Sequence, residues 1–317
     1  MNPKVDVFGP VPSRRLGRSL GINNIFPKVC NYSCVYCQIG NTLVMETDRR
    51  EFLPLQELLG DVTRRVREIL RKGERLDYLT FVPDGEPTLD VNLGRAIEGL
   101  KPLGVPIAVI TNASLIRRAD VRRELGLADW VSLKFDALEP KLWRRVNAPH
   151  RALDIGRIME GARRFAGEFT GTLTTETMLV RGTNDTEENL EPLSAFLASL
   201  SPAVAYLSVP TRPPARNWVE APEPETLARA FRVYAGRLPQ VEYLIGYEGN
   251  AFSSTGDVER DLLSITAVHP MRREAVDDLL QRNGAEWDSV QSLMDNGRLV
   301  SADFQGQRFY LRPVGGR

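Results

Sequence analysis

Apolar positions along this chain recur with two different periods. From about Gly21 to Tyr247, short runs rich in β-branched and aromatic residues alternate with longer runs whose apolar residues return every three or four positions. The short runs predict strands over residues 20–26, 78–82, 106–111, 130–135, 172–180 and 204–209, with a seventh over 241–247. Among the long runs, Leu55, Leu58, Leu59, Val62, Val66, Ile69 and Leu70 share one helical face, and Gly73 closes that helix. Another helix opens at Asp185-Thr186, carries Leu190, Leu193, Phe196, Leu197 and Leu200, and stops at Ser201-Pro202. Strand and helix alternating in this way predict an α/β fold with a parallel sheet. Periodicity alone does not choose between an open sheet and a barrel.

After Gly249 the rhythm changes. Residues 257–266, 272–281 and 286–295 read as three short helices, and 298–304 with 307–312 as a hairpin around Gln305-Gly306. That order is winged-helix-like, so the chain divides into residues 1–250 and a small α+β module over 251–317. Nucleic-acid binding is one use of such a module, and a lid or protein contact is another. Charge disfavours DNA. Residues 251–317 hold 8 Arg and no Lys against 10 Asp plus Glu, and the third helix carries Glu286, Asp288 and Asp295 with no base.

Composition adds bounds. A hydrophobic content of 42% suits a globular protein with a sizeable core, and the 41 basic and 41 acidic residues cancel. No long apolar run suggests a membrane span, and the opening residues, Met1 to Asp6, have no signal-like apolar core. A cytoplasmic location is expected, where thiols stay reduced. Any polyanionic partner must be held by a local patch.

The most specific chemistry lies in Cys30-x3-Cys34-x2-Cys37, the only cysteines of the chain. Three thiols so close together cannot form a disulfide framework, which leaves metal or cluster binding. Three ligands are one short of closing a [4Fe–4S] cluster, so one iron would stay open for chemistry. The alternative, a zinc site completed by histidine, has only the distant His150 and His269 to draw on.

The cysteines follow the first strand, and the later strand ends are also polar. Gly85-Glu86-Pro87 lies in a turn after the second, Asn112 ends the third, Lys134 and Asp136 end the fourth, and Arg181 and Arg212 follow the fifth and sixth. Active sites of α/β barrels and open sheets gather at the C-terminal ends of strands. Singly, each residue has an ordinary reading as a turn or an ion pair. Their repetition beside a three-cysteine loop points to one site.

Cys30-x3-Cys34-Val35-Tyr36-Cys37, with its aromatic residue before the last cysteine, resembles the signature of the radical SAM superfamily. Gly85-Glu86-Pro87 resembles that superfamily's second motif. Three further segments are similar to iron–sulfur oxidoreductases grouped with the wyosine tRNA-base synthases: the run from Phe8 to Gly21, Pro210 to Pro214, and Gly246 to Asn250. The resemblance implies a partial (β/α)6 barrel of TIM type. It also implies one [4Fe–4S] cluster on Cys30, Cys34 and Cys37, with S-adenosylmethionine on the open iron. One electron then cleaves that cofactor to methionine and a 5′-deoxyadenosyl radical, which abstracts hydrogen from a substrate. Glu86 with Gly85 and Pro87 would receive the methionine ammonium, and Tyr36 would lie near adenine. Asn112, Lys134 and Asp136 would serve the carboxylate and ribose.

With no further cysteine, an auxiliary cluster has no ligands, which separates this chain from archaeal wyosine synthases. Electrons must then come from outside, from ferredoxin or flavodoxin. The substrate is a small molecule or RNA, and Arg14, Arg15, Arg181 and Arg212 are the candidate contacts for an anionic group on it. Against the enzyme reading stands a cluster-based redox or iron sensor acting through the C-terminal module.

Overall fold

The computed structural model describes residues 6–245 and 256–313. The Gly246–Asn250 segment, the end of the seventh expected strand and the expected domain boundary fall outside them. Strand β1 (Asp6–Ser13) pairs antiparallel with β2 (Gly17–Asn23). Two short strands, β3 (Val29–Cys30) and β4 (Val44–Met45), pair in parallel and precede α1 (Leu55–Arg71) and β5 (Tyr78–Phe81). Then come α2 (Leu93–Leu100), β6 (Ile107–Thr111), α3 (Ala119–Leu125), β7 (Trp130–Lys134), α4 (Pro140–Asn147) and α5 (Ile155–Glu168). The series closes with β8 (Thr172–Met178), α6 (Glu187–Ala198), β9 (Val204–Ser208), α7 (Pro224–Ala235) and β10 (Val241–Leu244).

The sheet order is β1-β2-β5-β6-β7-β8-β9-β10, and every pair after the first is parallel. The seven expected strands are all present; β6 ends at Thr111 as expected, and the others end one to three residues earlier than their apolar runs. β1 was not expected. Its Gly9, Pro10 and Pro12 disguise it, and prolines that cannot donate are tolerated on an edge strand.

Period two sorts the two faces of the sheet. Leu79 and Phe81, Ile107 and Val109, Val131 and Leu133, and Ala205 and Leu207 turn outward into one core with the helices. All eight are fully buried, and each larger side chain contributes about 1.5–3 kcal/mol by leaving water. The alternate residues face inward. At the base these are apolar: Ala108, Trp130, Tyr206 and Leu244 cluster around Leu16 from the β1–β2 turn. Toward the mouth they become polar, as Thr80, Lys134 and Glu176.

That β1–β2 turn reaches across the open side of the barrel. Leu16 packs with Leu244 of β10, and Arg14 Nη1 donates to Ile245 O at 2.6 Å. The module beyond residue 255 contains α8 (Val258–Val268), β11 (Met271–Arg272), α9 (Arg273–Asn283), α10 (Asp288–Asp295), β12 (Val300–Phe304) and β13 (Gln307–Leu311). Its sheet runs β11-β13-β12, antiparallel throughout. It has its own core, from Leu262 to Tyr310, and docks on the barrel through Val11 of β1. Among the described residues no helix is long and apolar enough to cross a membrane.

Candidate active site

After β2 the chain leaves the sheet and crosses the mouth. Buried Asn24 holds the crossing by donating to Pro87 O and Asp90 Oδ2, both at 3.2 Å. Lys28 adopts a left-handed backbone (φ 64°) and donates its N–H to Asp84 O at 2.9 Å. Cys30 follows in β3. The rest of the loop is clamped from outside by the end of α4: Ser33 N–H donates to Asn147 O at 3.0 Å and Val35 N–H to Val146 O at 2.9 Å.

All three cysteines are free, and their side chains line one cavity of about 350 Å³. Nitrogen donors face two of the sulfurs. The Tyr32 amide lies 3.5 Å from Cys30 Sγ, Asn112 Nδ2 lies 3.7 Å from it, and Asn147 Nδ2 lies 3.4 Å from Cys34 Sγ. Such donors suit thiolates. Yet burial pushes the Cys34 thiol up to about 12 and Cys30 up as well. Coordination to the irons of a cluster would favour the thiolates against that burial. Among the described residues no three His, Cys, Asp or Glu side chains close on a single metal ion. Three thiols on the wall of one cavity, two of them faced by N–H donors, are a donor set that fits a cluster taking one thiolate per iron.

The Gly85-Glu86-Pro87 turn is pressed directly beneath the loop. A Cβ at Gly85 would stand 1.8 Å from Val29 O, so only glycine fits. The buried Glu86 carboxylate accepts from Thr88 N (3.1 Å), Thr88 Oγ1 (2.5 Å), Thr111 Oγ1 (2.5 Å) and Asn112 N (2.8 Å). Burial raises its pKa, and these donors only partly offset that. Asn112 continues the chain of contacts by donating Nδ2 to Asn31 Oδ1 at 2.8 Å. The second motif, the third strand end and the cysteine loop thus form one hydrogen-bonded unit.

Opposite lies a charged group. Glu176 of β8 accepts from Lys134 Nζ at 2.9 Å and from Arg15, and Ser208 Oγ donates to it at 3.1 Å. Burial would raise the Glu176 pKa, but the Lys134 and Arg15 charges override it and hold the carboxylate well below its usual range. Lys134, despite its own burial, is raised by Glu176 and Asp136. Its ammonium also stands 5.1 Å from the centre of the Tyr36 ring.

Gly85, Glu86, Asn112, Lys134 and Tyr36 line the cavity with the cysteines, as do Arg14, Arg15 and Arg212. Three expected residues do not. Asp136 sits behind Tyr36, accepting from its hydroxyl, from Asn147 Nδ2 at 2.6 Å and from Met178 N at 2.8 Å. Its role is to hold Tyr36 and Asn147, because the chain has left β7 by then and no longer follows the strand alternation. Pro87 is buried away from the cavity lining, and its carbonyl accepts from Asn24 Nδ2. Arg181 turns outward, pairing with Glu220 at 2.8 Å and Glu223 at 2.7 Å.

The structure also brings in residues that the sequence did not single out. Lys28 donates Nζ to Gly40 O at 2.8 Å on the cavity wall, and His269 of the C-terminal module meets Arg212 Nη2 at 2.9 Å. Asn147 joins Cys34, Tyr36 and Asp136. Only Glu176 had a signal: a carboxylate inside the strand Thr-Leu-Thr-Thr-Glu-Thr-Met, where a buried parallel strand should be apolar.

Residues 24–191, which hold the cysteine loop, the Glu86 turn and Lys134, match the family model of the radical SAM superfamily. The chain belongs to that superfamily. Members carry a [4Fe–4S] cluster and use S-adenosylmethionine, and they require a reductant. The chain is 40% identical to a UPF0026 protein of Methanocaldococcus jannaschii over 98% of its own length and 97% of the relative's. It is 34% identical to a UPF0026 protein of Helicobacter pylori, over 98% of each. A solved radical SAM methyltransferase from Sphaerobacter thermophilus shares the fold, at TM-score 0.53 and 21% identity, over 74% of this chain and 69% of that one. This radical SAM protein is an enzyme built on the partial α/β barrel described above.

Proposed function

We propose that Cys30, Cys34 and Cys37 hold a single [4Fe–4S] cluster and that the enzyme acts on an anionic substrate at the barrel mouth. The observation that carries this reading is the convergence of three free thiols, the Glu86–Asn112 unit and the Lys134–Glu176 group on one cavity. When bound, the cluster and S-adenosylmethionine supply a 5′-deoxyadenosyl radical able to abstract hydrogen from an unactivated C–H bond.

The chain's own residues then bind, orient and exclude water. Glu86 Oε2 accepts one bond here, from the Asn112 amide, and has capacity for a second donor such as an ammonium group. Asn112 and Asn147 orient Cys30 and Cys34 through their N–H groups. Tyr36, fixed by Asp136, offers a flat apolar wall beside the Lys134 charge. Charge supports an anionic substrate: among the described residues, Arg14, Arg15, Lys28, Lys134 and Arg212 line the cavity against Asp84, Glu86 and Glu176 as carboxylates.

Anaerobic reconstitution followed by dithionite reduction should give visible charge-transfer absorption and 5′-deoxyadenosine from added S-adenosylmethionine. A reconstituted protein that gives neither, even with cell extract as a source of substrate, would defeat the reading.

A further inference from the structure

The cysteine loop has two sides. The inner one faces the cavity that cofactor and substrate would fill, which leaves the outer one as the open approach for an electron donor. There the chain exposes three consecutive apolar side chains: Leu43 is 57% exposed, Val44 47% and Met45 37%. Elsewhere among the described residues the large exposed apolar side chains are isolated, so this run is unusual. It is also very close to the cluster ligands. Met45 is the β-ladder partner of Cys30, and Glu46 N–H donates to Cys30 O at 3.2 Å. One strand spacing, about 4.8 Å, separates that exposed backbone from the backbone of a cluster cysteine.

A basic rim lies on the other flank of the same loop. Tyr32 forms a bridge with Pro149, and His150 N–H donates to Asn31 O at 2.8 Å, while Thr42 Oγ1 donates to Tyr32 O at 2.6 Å. Residues 42–45 and 146–150 thus flank the Asn31-Tyr32-Ser33 backbone on either side. Around the second flank Lys141, Arg144, Arg145 and Arg151 are exposed, and among the described residues no salt bridge within 4 Å holds them. The Glu139 carboxylate, its pKa lowered first by the Lys141 and Leu142 amides, nevertheless lies near enough to Lys141 and Arg144 for their charges to lower it further. Two nearby carboxylates also cap helices, Glu139 accepting from Leu142 N at 2.7 Å and Asp154 from Arg157 N at 2.8 Å, so four basic residues face two acidic ones and the rim keeps a net positive charge.

We propose that this outer face, apolar at Leu43, Val44 and Met45 and basic along Lys141, Arg144, Arg145 and Arg151, is the docking surface of a small acidic one-electron carrier protein. The proposal rests on the cluster assignment above. An apolar centre with a charged rim is the build of a transient protein interface, in which opposite charge speeds encounter. RNA would account for the basic rim but not for three exposed aliphatic side chains, since single-stranded nucleic acid stacks on aromatic ones. The transfer itself is balanced simply. One electron leaves the carrier's flavin or iron–sulfur centre and enters the cluster, with no bond made or broken and no proton moved.

The test compares a protein reductant with a small one. Reduced flavodoxin and dithionite are each mixed anaerobically with the reconstituted enzyme, and bleaching of cluster absorption is followed in time. The double variant Arg144→Glu/Arg145→Glu should slow reduction by flavodoxin at least about tenfold at low salt, with the gap narrowing as salt is added. Leu43→Asp should also slow it, without that salt dependence. Dithionite should reduce all forms at the same rate.

Unchanged flavodoxin rates in both variants would overturn the proposal, and so would equal slowing with dithionite, which signals a damaged cluster site. If the charge reversal abolishes tRNA retention while reduction is unaffected, the rim belongs to RNA and the proposal falls. Failure of the cluster assignment itself would look different: the unmodified protein would show no cluster absorption at all, and the docking surface would go with it.

Discussion

At the barrel mouth, Glu176 lies under cover between Lys134 and Arg15, with 9% of its side chain exposed. In the C-terminal module, Arg308 and Asp303 pair on open surface with 56% and 68% exposed, and Arg298 pairs with Glu259 in the same manner. The residue types are alike, but the energetics differ. A buried pair depends on its partners, because removing one leaves a charge stranded in a poor solvent. An exposed pair gains little Coulomb energy and is screened by salt. Charge that the fold has gone to the expense of burying is therefore the better pointer to chemistry. Only one described side chain of the module, His269, reaches the cavity wall.

The largest effect should come from the cysteines. Cys34→Ser should leave a folded chain that loses the visible cluster absorption after reconstitution and makes no 5′-deoxyadenosine. Retention of a stoichiometric cluster, measured by iron content and absorption, would mean that Cys34 is not a ligand.

Next comes Glu176→Gln, which keeps shape but strands Lys134 and Arg15. Breaking a buried pair in this way costs about 3 kcal/mol or more, readable as a lower denaturant midpoint. The pH dependence has a definite sign. Because the folded-state pKa of Glu176 is depressed, its stabilisation is complete above the ordinary glutamate value of about 4.3 and is lost as pH falls through the lower folded value. Lys134 acts at the other end: its raised pKa keeps the pair charged up to and beyond the ordinary lysine value, near 10.4. The gap between wild type and variant should hold steady across neutral pH and shrink below about pH 4. A gap that stays constant into acid would show that the loss is one of packing instead of charge.

Smaller but still substantial is Gly85→Ala. The new Cβ would meet Val29 O, a backbone atom that cannot swing aside, so the turn and β3 must separate. Overpacking of this kind costs about 1–3 kcal/mol. Cluster occupancy should fall along with thermal stability, since β3 carries Cys30. Full occupancy with unchanged stability would show that the turn and the cysteine loop are not mechanically joined.

These effects also mark what the sequence could carry. The cysteines, Gly85, Glu86, Asn112 and Lys134 were legible because each belongs to a local pattern: a tight spacing, a turn, or the end of an apolar run. Strand-end position pointed to Lys134, which β7 does turn into the cavity, and the same reasoning failed two residues later at Asp136, where the strand is over and the chain turns under Tyr36. Arg181 failed likewise: it lies three residues past the end of β8 and pairs with Glu220 and Glu223 on the surface. Asn147 carried no local signal. It matters because α4 packs against the cysteine loop, a contact more than a hundred residues apart in sequence. His269 is of the same kind. β1 was hidden by its prolines, yet its turn delivers Arg14, Arg15 and Leu16 to the open side of the barrel.

The smallest expected effect tests the other half of the comparison. Arg308→Ala removes a guanidinium that donates to Asp303 at 3.0 and 3.2 Å across the β12–β13 hairpin, where both side chains are solvated. The Asp303 carboxylate it leaves can be hydrated at once, so nothing is stranded. Hairpin register survives as well: it is set by the five paired positions from Val300–Leu311 to Phe304–Gln307 and by the inward Tyr310, not by this pair. Unfolding midpoint, cluster content and 5′-deoxyadenosine formation should all match wild type. A variant that folds and holds its cluster normally but loses turnover would show that the hairpin's exposed charge contacts a substrate or partner. The module's surface would then be as functional as the buried charges of the barrel mouth.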